Sequence, residues 1–186
     1  MARRSDDTRK RLLDAAGAEF AQYGIAGARV DRIAVAAGCN KQAIYAYFGS
    51  KEGLFDAVYD RMCVQTIDAV PIDVRDLPGY ATRLFDWFAA HPEVLRLATW
   101  YQLEYGSSRL PPAAALKATE HKIAAIRAAQ AAGFVTSRFA PEALLALVLK
   151  LATTGAKDAP EAMLTSASAQ TVRQAIADAV ARLVTP

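Results

Sequence analysis

The chain has 186 residues, 53% of them hydrophobic and 22% charged, a composition that excludes a disordered chain and allows one substantial domain, or a small module joined to a larger one. No apolar run is long enough to span a bilayer, and the charged start from Met1 to Lys10 lacks the apolar stretch of a signal peptide, so a cytoplasmic protein with no membrane partner is expected. The net charge of +3 is unevenly placed: residues 1–55 hold nine Lys or Arg against six Asp or Glu, and residues 56–186 hold thirteen of each, as expected where the N-terminal end meets a polyanion.

Helical periodicity runs through nearly the whole chain. Leu12, Ala16, Phe20 and Tyr23 share one face of a helix over 5–23, and Gly24 stands where a C-terminal cap belongs. Val30, Ile33, Ala34 and Ala37 form a second, short helix stopped at Gly38. Asn40 caps a third that runs to Phe48, and Ser50 a fourth with the stripe Leu54, Phe55, Val58 and Met62, which ends before Pro71. Further helices are expected over 80–90, 92–105, 113–132, 141–156 and 160–184, with Pro92, Pro141 and Pro160 near their starts. The short Gly-Phe-Val-Thr run at 133–136 is the nearest approach to a strand, so the fold class is all-α. The predicted division is a helix-turn-helix module with a basic arm at 1–50 and a larger helical domain at 51–186.

Two short helices meeting at a tight turn around Gly38 make a helix-turn-helix. Small residues at Ala34, Ala37 and Gly38 let the helices approach, with Ile33 and Ala37 facing Ile44 and Phe48. The outer face of the second helix then carries Lys41, Gln42, Tyr45 and Tyr47, with Asn40 at its start. Gln pairs with an adenine edge, Lys with guanine acceptors or phosphate, and Tyr hydroxyls with phosphate oxygens. Lys51, in the first turn of the next helix, suits a phosphate. The arm of Arg3, Arg4, Arg9, Lys10 and Arg11 suits the backbone or the minor groove. Short helices divided by glycine also occur in ordinary helical bundles, and periodicity alone leaves that reading open.

Over residues 10–60 the chain closely resembles the N-terminal domain of the TetR family of bacterial repressors. The resemblance rests on Ile33-Ala34, Ala37-Gly38, Ile44 to Phe48 and Ser50 to Phe55, with Ala15-Ala16, Phe20 and Gly24 in the preceding helix. It implies that residues 40–48 form the recognition helix, that Tyr47 and Lys51 contact phosphates, and that the protein is an all-helical two-domain dimer. One departure is Arg29, where the family usually has a Thr or Ser that caps the second helix. Arg29 cannot cap in that way, but its longer cationic side chain can reach a phosphate, with Arg32 one turn further on.

Beyond residue 60 patterning carries the reading. Phe85, Trp87, Phe88, Trp100, Tyr101 and Tyr105 concentrate aromatic mass in two helices. Such residues fill cores, and they equally line a cavity for a flat, greasy ligand. The candidate effector residues are Met62, Trp87, Phe88, Trp100, Tyr101 and Tyr105, with Glu104 and His121 as polar groups. The helix beginning at Pro141 is apolar nearly all round, and the last helix carries an apolar stripe with small residues between. A homodimer interface is therefore expected at Leu144, Leu147, Val148, Leu151, Val172, Ile176, Val180 and Leu183. Cys39 and Cys63 have no metal-ligand spacing and read as small buried hydrophobes. With no nucleophile elbow, phosphate loop or metal cluster, neither an enzyme nor a cofactor or metal is expected.

Together these features predict a homodimeric repressor on an inverted-repeat duplex, released by a small, largely apolar or aromatic effector. Regulators of the same fold without a ligand, or with ligand-enhanced DNA binding, are the alternatives. A third is a helical enzyme or scaffold that does not bind DNA.

Overall fold

The computed structural model describes the backbone of residues 2–106, 108–155 and 167–186, with side chains from Ser5 onward. Among these residues there are nine α-helices and no strand: α1 (Ala2–Gly27), α2 (Val30–Ala37), α3 (Lys41–Phe48), α4 (Lys51–Ala69), α5 (Leu77–Ala90), α6 (Pro92–Tyr105), α7 (Ala113–Ala131), α8 (Pro141–Ala152) and α9 (Ala169–Val184). The all-α fold matches expectation. The last helix differs, because residues 167 and 168 are not helical and the Ser168 hydroxyl caps α9 by accepting from the Thr171 N–H at 3.1 Å. Pro160, the expected start, lies outside the described residues. The 133–136 run is turn and bend, with the Thr136 N–H donating to the Val184 carbonyl at 2.9 Å.

The helices pack as two units. The first comprises residues 1–64 with 93–113, the second residues 65–92 with 114–186. In the first, α1 and α2 pack together and α3 packs on α2. Leu12 and Phe20 of α1, Ile33 of α2, Ile44 of α3, and Leu54 and Phe55 of α4 are all fully buried. Burial of each is worth about 1.5–3 kcal/mol, and Phe20 meets Phe55 edge-on at 5.1 Å. The predicted α4 stripe is the buried one: Leu54, Phe55, Val58 and Met62.

Helix α6 also belongs to this first unit, although it follows α4 by more than twenty residues. Gly24 explains how. Its φ of 69° and ψ of −179° break α1 before the last turn, and the bare backbone there lies against the Trp100 indole. A Cβ at Gly24 would come within 2.8 Å of that ring. The broken turn leaves the Ala21 carbonyl to accept from Arg96 Nε at 3.0 Å and Trp100 Nε1 at 3.4 Å. Breaking the helix thus creates both the seat for α6 and the acceptor that fixes it.

In the second unit, α5 packs on α8 and on α9, and α8 packs on α9. Tyr80, Leu84, Ile126, Leu144, Val148 and Val180 lead its core. Asp86 receives the Arg173 Nε on its two oxygens at 3.1 and 3.0 Å.

Candidate nucleic-acid interface

The turn between α2 and α3 depends on Gly38, which takes φ 63° and ψ 41°, a left-handed conformation open to glycine at little cost. The Cys39 N–H donates back to the Ala34 carbonyl at 3.0 Å, closing the turn. Cys39, in the turn, and Cys63, on α4, form no disulfide and are only half-buried, not the buried hydrophobes expected. Helix α3 starts as predicted, with Asn40 Oδ1 accepting from the Ala43 N–H at 2.9 Å. The Ser50 hydroxyl likewise caps α4 through the Gly53 N–H at 3.0 Å.

With Ile44 fully buried, the helical period turns Lys41, Gln42, Tyr45 and Tyr47 outward. Tyr45 and Tyr47 are 46% and 37% exposed. Tyr47 is tied at its tip: its hydroxyl lies 2.8 Å from Ser5 Oγ and 3.3 Å from the Ser5 carbonyl. Lys41 reaches Asp31 of α2, with Nζ 3.0 Å from Oδ1, and that hydrogen bond and charge hold the ammonium above its ordinary pKa. The Arg9 guanidinium stands over the Phe48 ring at 5.7 Å. The side chains of Arg3 and Arg4 lie outside the described residues.

Arg29, at the N-cap of α2, and Arg32, within it, have different surroundings. Arg32 turns toward α1 while staying exposed: Nε donates to Glu19 at 2.8 Å, a terminal nitrogen to the Gly27 carbonyl at 3.2 Å, and the guanidinium covers the Tyr23 ring at 4.3 Å. Arg29 makes no side-chain cap, and its N–H donates to the same Glu19 carboxylate at 2.9 Å. Glu19 of α1 thus anchors the start of α2 through the Arg29 N–H, without standing in for a cap on the first N–H groups of α2. Burial pushes the Glu19 carboxyl up, but its hydrogen bonds from Arg32 and the Arg29 N–H, with the charges of both arginines, outweigh this and hold it below the usual carboxylate range. Lys51 Nζ lies 3.4 and 3.5 Å from the Ala26 and Ala28 carbonyls, at the end of α1.

The expected effector residues fall in both units. In the first, Tyr101 and Tyr105 meet at 5.1 Å, Met62 is buried on α4, Trp100 is spent on Gly24, and Glu104 is exposed. Tyr59, Asp56 and Arg109, which the sequence did not single out, join the two tyrosines there. Tyr59 follows Phe55 by one helical turn and was open to discovery by spacing; the Asp56–Arg109 pairing had no local signal. In the second unit Trp87 stacks on His91 at 3.7 Å, Phe88 is half-buried and His121 is exposed.

Among the expected interface residues, Leu144, Val148, Ile176 and Val180 are buried in the core of their own unit. Leu147 is 41% exposed, and Leu151, Val172 and Leu183 are half-buried. No described helix is long and apolar enough to cross a membrane.

Comparison with known proteins agrees with this geometry. Residues 12–58 match the model of bacterial regulatory proteins of the tetR family, and residues 76–182 match the tetracyclin repressor-like C-terminal domain. The HTH-type transcriptional repressor SCO4008 of Streptomyces coelicolor is 46% identical over 151 residues, covering 79% of this chain and 78% of that protein. The HTH-type transcriptional repressor NicS of Pseudomonas putida is 33% identical over 113 residues, 56% of this chain and 53% of NicS. The crystal structure of the Streptomyces coelicolor transcriptional regulator SCO4942 superposes with a TM-score of 0.82 at 39% identity, covering 95% of this chain and 98% of that one.

Proposed function

The chain belongs to the TetR family of bacterial DNA-binding transcription regulators, and from that membership we propose that it is a homodimeric repressor whose α3 reads an operator and which a small, flat organic effector releases. The observation that carries the reading is the outer face of α3. Gln42 and Lys41 offer base-reading groups, Tyr45 and Tyr47 phosphate partners, and Ile44 fixes which side faces out. Lys51, Arg29 and the arm at Arg3, Arg4 and Arg9 supply phosphate contacts around that face. Arg32 supports them by holding Glu19.

One short helix reads too few bases for specific affinity. A twofold pair about 34–36 Å apart fits successive major grooves and predicts an inverted repeat. Leu147, with Leu151, Val172 and Leu183 beside it, is the apolar surface we assign to the partner subunit. The effector site we place in the first unit, where Tyr59, Tyr101 and Tyr105 adjoin Phe55 on α4 and Met62 is buried on the same helix. Phe55 touches Phe20 of α1, so a shift of α4 reaches the reading module through packed side chains. An effector acts only by its difference in affinity for the two states.

Selection of bound duplexes from a random pool at low salt tests the reading. Enrichment of an inverted repeat is the expected result. Recovery of unenriched sequence, with no salt-sensitive retention of duplex, would refute DNA reading by α3.

A further inference from the structure

Inside the first unit, three tyrosines and a phenylalanine form a contiguous aromatic wall. Tyr59 lies 4.8 Å from Tyr101, Tyr101 lies 5.1 Å from Tyr105, and Phe55 backs the latter two at 6.3 Å each. Set against this wall is Asp56 of α4. One of its oxygens pairs with Arg109, while the other, Oδ1, is buried with no hydrogen-bond partner. The Arg109 guanidinium also covers the Tyr105 ring at 4.8 Å. A flat, delocalised cation held by a carboxylate and an aromatic face is already present, and the chain itself supplies it.

Glu52, one turn before Asp56, feels the charges of both Lys51 and Arg109. The ion pair is only partly sheltered, with the Arg109 and Asp56 side chains 40% and 29% exposed, which makes it cheap to exchange. An unpaired buried carboxylate oxygen is costly and marks a place where another donor would be gained.

We propose that this aromatic wall and Asp56 form the seat of a cationic effector, an organic molecule with a flat delocalised positive charge that takes the place held by the Arg109 guanidinium. This deepens the effector reading above and rests on it. The incoming cation gains the Asp56 carboxylate and the ring faces of Tyr105, Tyr101 and Tyr59. Arg109 acts as a tethered competitor, so it sets a threshold that weak or uncharged ligands do not pass. Asp56 adjoins Phe55, and exchange at the seat is therefore felt where α4 meets α1.

The test is calorimetric titration of the full-length protein, without DNA, using the 1-methylquinolinium cation and its uncharged isostere 1-methylnaphthalene. The cation is expected to bind about tenfold more tightly. Arg109→Gln removes the competitor and should tighten cation binding about fivefold, leaving the neutral probe unchanged. Asp56→Asn keeps the shape and should erase the preference for the cation. A merely structural ion pair predicts that both variants lose stability and neither alters the preference, so thermal melts accompany each titration. Equal affinity for the two probes in the native protein, or no cation binding by Arg109→Gln, overturns the proposal. Operator release by the neutral probe alone would sink the cationic seat and leave the repressor reading standing. Failure of duplex selection would sink the repressor reading and leave the titration valid.

Discussion

Replacing Glu19 by Ala should cost the first unit more than any other single polar change on α1. The carboxylate, only 10% exposed, accepts from the Arg29 N–H at 2.9 Å and from Arg32 Nε at 2.8 Å. Loss of the hydrogen bond from the Arg29 N–H costs about 1 kcal/mol, and loss of a charged hydrogen bond about 1.5–3 kcal/mol. Arg32 keeps Gly27 and Tyr23, so the lower end applies and the sum is about 2–3 kcal/mol. At about 2–4 °C per kcal/mol for a chain of this size, the melting temperature should fall by about 5–10 °C. Glu19→Gln retains a carbonyl acceptor for the Arg29 N–H and should lose about half as much. The pH dependence has a definite sign. The folded carboxyl titrates below its unfolded counterpart, so its contribution is full above the ordinary Glu range and disappears as pH falls through the depressed value. The native protein should therefore lose stability relative to Glu19→Ala on acidification, with the two curves converging. Differential scanning calorimetry across pH 3 to 7, an assay range of about four units, gives the comparison. A Glu19→Ala melt within about 1 °C of native at neutral pH refutes the reasoning, as does a gap that does not narrow in acid.

Gly24→Ala puts a Cβ within 2.8 Å of the Trp100 ring and a side chain at φ 69°; a loss of about 2–4 kcal/mol is expected, read by chemical denaturation. Gln42→Ala should cost about 1–3 kcal/mol at one operator position and relax discrimination there, seen in competition against single-base variants. Asp31→Asn frees Lys41 from its partner at 3.0 Å, so binding to random duplex should strengthen and become more salt-sensitive, measured by the slope of log affinity against log salt. Leu147→Glu places a charge on the exposed apolar position of α8 and should shift the oligomer towards monomer in analytical ultracentrifugation.

The reading module was the most legible part of the chain. Its signals are local: a capping Asn40 three residues before the N–H it binds, Gly38 at a left-handed turn, and the outward run from Lys41 to Tyr47. Arg29 reads as unable to cap, but nothing local points to Glu19, ten residues earlier, as the acceptor of its N–H. Arg32 is expected near phosphate, and its contact with Glu19, thirteen residues earlier, has no local signal. On α8, apolar residues on every face left no period from which to choose the inward side; packing against α5 and α9 chose Leu144 and Val148. Gly24 read as a helix stop, but the indole that lies on it is 76 positions away, beyond the reach of any helical pattern.

The two indoles of the chain are divided between the two packing units. Trp100 lies on the bare backbone of Gly24 in the first, and Trp87 stacks on the His91 imidazole in the second. Near-ultraviolet excitation therefore samples both units without any label. Trp87→Phe leaves a single emitter on the seam between α1 and α6, where its Nε1 donates to the Ala21 carbonyl. A red shift of that emitter during denaturation dates the moment α6 leaves α1. Comparison with the far-ultraviolet helical signal then tells whether the reading module comes apart before the helices themselves melt.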